Sequence, residues 1–258
     1  MKFSKWSTAA ATLAAVTCGL AQASSVSLSN ITAEWYNAAP ASNVTYFNNP
    51  SSVTAQARWG VGAQQSGYDF SIAAQPVAFT VPPSPSPSQV LGTFAHLNYP
   101  ISSGTSITDI QLKITADVAI NGDPLVNKVF SYDFDHWETP NGDNPCADGG
   151  VVGSGVDVNG CADRVIANWS STSEDFQIGL DTYTLNVIGF SLDTSGSNPF
   201  TSFWTAEAGN NAAYLLANVA LRSDVENVPE PGSMALLGLA LVGLTLVRRS
   251  KTKSVEPA

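Results

Sequence analysis

Phe130–Trp137 reads FSYDFDHW. In a β-strand successive side chains point to opposite faces. Read that way, the stretch sets Phe130, Tyr132, Phe134 and His136 on one face and Asp133, Asp135 and Trp137 on the other. The same short alternation recurs on both sides of it. SVSLSNITAEW (25–35) alternates Val26 and Leu28 with serines, and SITDIQLKITADVAI (106–120) brings Ile107, Ile110, Leu112 and Ile114 near one face with breaks. DTYTLNVIGF (181–190) alternates Tyr183, Leu185 and Val187 against Thr184 and Asn186. NAAYLLANVAL (211–221) fits helix or strand and is read as strand. Turn residues punctuate these runs in NNPSS (48–52), ISSGTS (101–106), NGDP (121–124), PNGDNP (140–145) and TSGSNPF (194–200). No long period of 3.6 residues appears. Many short strands at this spacing predict an all-β, single-domain β-sandwich over 24–228. PPSPSPS (82–88) is expected as an extended loop inside that domain.

The composition narrows the function. Of 258 residues only 12% are charged, and the formal net charge is −10. Most bases lie at the ends. Between Ser24 and Val228 the five bases Arg58, Lys113, Lys128, Arg164 and Arg222 face 19 carboxylates. Such a surface repels phosphate backbones and argues against a nucleic-acid partner.

Both termini carry targeting patterns. Lys2 and Lys5 precede the apolar run Thr8–Leu20, and AQAS (21–24) offers small residues around a cut after Ala23. Residues 1–23 therefore read as a signal peptide. Its removal leaves Cys146 and Cys161, and an even count in an exported chain favours a disulfide. At the other end, Gly232–Val247 is free of charge. As a helix these residues would reach about 24 Å, against about 30 Å of bilayer hydrocarbon. Arg248 and Arg249, followed by Lys251 and Lys253, would stay cytoplasmic and leave the body outside. Pro229 and Pro231 flank Glu230 just ahead of the apolar run and hold that stretch extended.

This order of Pro-Glu-Pro, short apolar helix and Arg cluster over 229–258 resembles the PEP-CTERM sorting signal of Gram-negative, exopolysaccharide-producing bacteria. The resemblance implies recognition by an exosortase-type membrane protease. It also implies a transient anchor in the inner membrane, followed by passage to the cell surface or extracellular matrix.

The densest chemistry lies between Phe130 and Asp163. Asp133, Asp135, Glu138, Asp143, Asp148, Asp157 and Asp163 stand there without a Lys or Arg. Calcium is one reading, with Asp133, Asp135, Glu138, Asp143 and Asp157 as ligands on a flexible loop. A solvated acidic loop is the other. Asp133 does not open an EF-hand, since the fifth and sixth positions from it are Trp137 and Glu138. Trp137 reads either as a sugar-stacking platform or as a core residue. Asp135 and Glu138 have the residue types of a glycosidase pair, but no nucleophile elbow, H-E-x-x-H or P-loop occurs. The two histidines, His96 and His136, read as a metal pair or as singly hydrogen-bonded strand residues. His96 shares a strand face with Asn98.

RWG…SGYDF, LGTFAHLNYPI, DFDHWETPN, C…GCADR and YTLNVIGF…FWTAE together resemble the THxN family of PEP-CTERM proteins. Its Thr-His-x-Asn motif falls on Ala95, His96, Leu97 and Asn98, with alanine in place of threonine. That resemblance implies an exported surface or matrix protein. The expected role is structural or adhesive and non-enzymatic, with exopolysaccharide as a partner. The alternatives are a calcium-dependent carbohydrate-binding module and a secreted glycoside-active enzyme.

Overall fold

The structure, a computed structural model, describes residues 23–42, 44–123, 126–168, 174–178 and 181–222. The signal peptide, the Pro-Glu-Pro stretch, the apolar helix and the Arg cluster expected from the sequence lie outside the described residues. Among the described residues thirteen strands run in order: β1 Ser24–Ala39, β2 Thr45–Phe47, β3 Thr54–Trp59, β4 Ser66–Ile72, β5 Val77–Val81, β6 Gln89–Asn98, β7 Asp109–Ile120, β8 Val126–Trp137, β9 Asp163–Asn168, β10 Glu174–Ile178, β11 Asp181–Ser191, β12 Ser202–Thr205 and β13 Gly209–Arg222. They form two antiparallel sheets, β12-β9-β8-β7-β1-β5 and β10-β11-β13-β6-β4-β3-β2. The sheets pack face to face, which is the expected β-sandwich.

The alternation read from the sequence is the alternation of burial. On β8, Phe130, Tyr132 and Phe134 are fully buried and His136 nearly so, while Trp137 is 48% exposed. On β13 the ambiguous stretch pairs with β11 on one side and β6 on the other, so it is strand. There Leu215, Ala217 and Val219 line the core. Two breaks in the β1–β7 register fall between Ser29 and Thr32 and between Tyr36 and Ala39. Asn30 and Asn37 sit in those breaks with φ of 48° and 50°. Asparagine tolerates this left-handed region better than other side chains, which explains its use at both bulges.

Between the sheets the core is aromatic. Phe94 of β6 stacks on Phe134 of β8 with ring centres 5.5 Å apart and planes 6° from parallel. Trp35, Tyr68 and Phe190 close around this pair. The Trp35 indole N–H donates to the Ala55 carbonyl in the facing sheet at 3.2 Å, which satisfies the one polar atom the ring buries.

The Pro-rich segment 82–88 lies outside the named strands and has a defined partner. Ser86 N donates to Val219 O, and Val219 N donates back to Ser86 Oγ. Leu221 N donates to Ser84 Oγ. The segment thus follows β13 ahead of the point where β6 begins, and serine hydroxyls take bonds a strand backbone would have made.

Cys146 and Cys161 are joined by a disulfide that closes the Gly-rich loop. Replacing both by alanine is expected to lower the unfolding free energy by about 3 kcal/mol in the loop-entropy account. Urea midpoints of the two proteins measure this directly. An unchanged midpoint would mean that the loop's own hydrogen bonds hold it closed.

Candidate functional site

At one end of the sandwich the apolar core gives way to a buried polar cluster. Alternation on β6 continues inward from Phe94 to His96 and Asn98, both wholly buried. On β8 it continues from Phe134 to His136, and two residues on it reaches Glu138, just past the strand end. On β9, Asp163 precedes Val165 and Ala167 on the buried face. Thr205 closes β12, and Glu207 follows in the turn to β13, both buried. Tyr68 of β4 and Trp59 of β3 complete the lining, with Trp59 stacked 6.0 Å from the His96 ring.

The hydrogen bonds show which ring nitrogen of His96 carries a proton. The Thr205 hydroxyl donates to the Asp163 carbonyl at 3.0 Å and lies 2.8 Å from His96 Nδ1. A hydroxyl has one proton to give, so Nδ1 donates to Thr205. Burial and the neighbouring His136 push the His96 pKa well below its ordinary value, so the ring is neutral. Its Nε2 therefore carries a lone pair, and that buried atom has no hydrogen-bond partner. His136 Nδ1 lies 2.8 Å from the Tyr68 hydroxyl, and its Nε2 lies 3.4 Å from Glu138 Oε2.

The carboxylates are equally constrained. Thr139 N donates to Asp163 Oδ1 at 2.7 Å, while Oδ2 is buried without a partner. Burial first, and then the charge on Glu138, push the Asp163 pKa up to about 9. Burial and Glu138 likewise push Glu207 up to about 7. Asn141, with its amide turned to suit its surroundings, donates to Glu207 Oε1 at 3.1 Å and to Cys161 O at 3.2 Å. Glu207 Oε2 and Asn98 Oδ1 remain buried without partners. A cleft of about 390 Å³, lined in part by Ser106, Glu138, Thr139 and Asn141, opens beside the cluster. Two imidazoles and the carboxyl groups of Glu138, Asp163 and Glu207 form a donor set suited to a cation.

The far C-terminus carries a marker of another kind. Residues 227–250 match the PEP-CTERM protein-sorting motif. No curated protein matches the chain. The PEP-CTERM motif implies export, membrane-associated sorting and processing by an exosortase. Pro229, Glu230, Pro231, Arg248 and Arg249 all fall within the match.

The residues expected to bind calcium do not come together. Alternation sends Asp133 and Asp135 to the outer face of β8, where they accept from Gln111 and Asn168. Asp143 is exposed in the loop. Asp157 is buried, but it accepts the Ala162 backbone N–H and braces the disulfide loop. Of the five, only Glu138 reaches the inner cluster. Asp135 and Glu138 likewise leave on opposite faces. His96, Asn98 and His136 do converge, with the two imidazole centres 5.1 Å apart. Ala95, which holds the threonine position of the resembled motif, points to the opposite face of β6.

Sequence reasoning counted Asp163 among the loop acids and did not single out Glu207. The alternation Asp163, Val165, Ala167 is a signal that would have placed Asp163 inward. No comparable local pattern marks Glu207.

Proposed function

We propose that this chain is a non-enzymatic structural or adhesive protein of the cell surface or exopolysaccharide matrix, delivered there by exosortase processing of its tail. The sorting motif at 227–250 is the observation that carries this reading. An all-β body with a disulfide suits an oxidising extracellular setting.

A specific surface favours direct contact with carbohydrate. Trp137, Arg164 and Trp204 stand opposite one another in register on β8, β9 and β12. Their side chains form a row on the outer face of the sheet. The indole rings lie 5.8 Å apart, and the Arg164 guanidinium sits 5.6 Å from the Trp204 ring. Asp135 and Asn168 are hydrogen-bonded to each other on the same two inner strands. Flat aromatic faces suit the apolar face of a pyranose ring, and the flanking polar groups suit its hydroxyls.

The test is a pull-down on the producing cell's exopolysaccharide, with and without chelator. The wild-type protein is expected to be retained. Alanine at both Trp137 and Trp204 is expected to weaken retention by about tenfold or more. Retention unaffected by both substitutions would exclude this face. Retention lost only on chelation would favour the calcium-dependent reading.

A further inference from the structure

The buried cluster at the end of the sandwich poses a physical problem that hydrogen bonding solves only in part. Asp163, His96 and Glu207 are each at most 1% exposed. His96 Nε2, Asp163 Oδ2 and Glu207 Oε2 are buried and receive no hydrogen bond from a fixed donor; a proton shared between Asp163 and Glu138, and the Asn98 amide beside Glu207, relieve the two carboxyl groups only in part. Leaving such groups unpaired is costly, and native structures rarely gather several in one place. Donor atoms of His96, His136 and Asp163 lie within 4.8 Å of one another, as do those of Glu138, Asp163 and Glu207. Asp163 belongs to both sets.

We propose that this pocket binds a divalent transition-metal ion of zinc-like preference through His96, His136 and Asp163, with Glu138 as the donor nearest the cleft. Tetrahedral ligands about 2.1 Å from an ion stand about 3.4 Å apart. His136 Nε2 and Glu138 Oε2 are separated by 3.4 Å, too far for a good hydrogen bond and suited to two ligands on one centre.

The supporting contacts are those a metal site requires. Thr205 takes the Nδ1 proton of His96 and leaves Nε2 free. The Tyr68 hydroxyl oxygen accepts from His136 Nδ1 in the tautomer that frees its Nε2. The Thr139 backbone N–H holds one oxygen of Asp163 and leaves the other directed into the pocket. Such outer partners orient the ligands and set the tautomers.

The imidazoles select the class of ion. Calcium prefers six to eight oxygens, whereas imidazole with carboxylate suits zinc and its neighbours. The third nearby group, Cys146, Asp157 and Cys161, is not a competing site, because its two sulfurs are bonded to each other. The inference is independent of the carbohydrate surface, which lies on the opposite, outer face of the same sheet, where Trp137, Arg164 and Trp204 alternate with His136, Asp163 and Thr205.

The experiment uses the full chain, purified with its disulfide intact and stripped by chelator. Zn²⁺, Co²⁺ and Ca²⁺ are added separately, then removed by desalting. One equivalent of Zn²⁺ is expected to remain and to raise Tm. Co²⁺ is expected to give the strong visible absorption of a four-coordinate centre, and Ca²⁺ to be lost. His96→Gln and Asp163→Asn are each expected to weaken Zn²⁺ binding by more than about 100-fold, beyond what loss of an outer partner costs. Asp163→Asn keeps the side-chain shape and the Thr139 bond, so it remains decisive if His96→Gln does not fold. Absence of retained Zn²⁺ overturns the proposal. So does equal retention by wild type and Asp163→Asn, or retention of Ca²⁺ in preference to Zn²⁺.

Discussion

Alanine at Phe94 is expected to lower the unfolding free energy by about 3–5 kcal/mol. The ring is wholly buried at the centre of β6. It stacks on Phe134 across the gap between the sheets and touches Trp35, Tyr68, Phe190 and Phe203. Removing it deletes apolar contact and leaves a cavity, because neighbours on two hydrogen-bonded sheets can collapse only in part. Domains are commonly stable by about 5–15 kcal/mol, so the loss is a large share of the total. Urea denaturation of the variant beside Val151→Ala gives the comparison. Val151 is 56% exposed in the loop, and its truncation is expected to stay within about 0.5 kcal/mol. Similar losses for the two would mean that the sheets are not held together by this aromatic contact.

The second large effect concerns sorting. Alanine at Pro229, Glu230 and Pro231 together is expected to leave an unprocessed form in the membrane fraction and none released. The three residues lie inside the matched motif, just ahead of the apolar segment. Proline cannot continue a helix from its interior, so the sequence Pro-Glu-Pro is expected to keep the processing site accessible. Alanine, the strongest helix former, removes both helix-breaking residues at once. Cell fractionation followed by immunoblotting reads the outcome. Normal release of the triple variant would mean that processing depends on other parts of the tail.

The sequence made the faces of the strands legible, though not their neighbours. FSYDFDHW sorted Phe130, Tyr132, Phe134 and His136 inward and Trp137 outward, because alternation is a local property of the backbone. The same local rule would have separated Asp133 and Asp135 from Glu138, yet charge density in the loop suggested that they act together. Charge density is a property of the chain, whereas a site depends on which strands pair. Asp163 meets His136 because β9 lies beside β8. Glu207 arrives because β12 lies beside β9 and the chain then turns into β13 beside β6. These pairings join residues far apart in sequence, and no short window contains them. His96 and Asn98 were placed on one face from their spacing alone, but their partner Thr205 is more than a hundred residues away.

Among the described residues the outermost strands of both sheets are short: β12 has four residues, β5 and β10 have five each, and β2 has three. Interior strands run as long as sixteen. A sheet edge offers unpaired N–H and C=O groups on which another chain can build, and a short edge gives little to build on. The serine and proline segment beside β13 shields a further stretch of backbone in the same way. A protein with these margins can be packed densely among its own copies without templating cross-β fibrils. Contacts with other chains are then favoured through side chains on its faces rather than through its sheet edges.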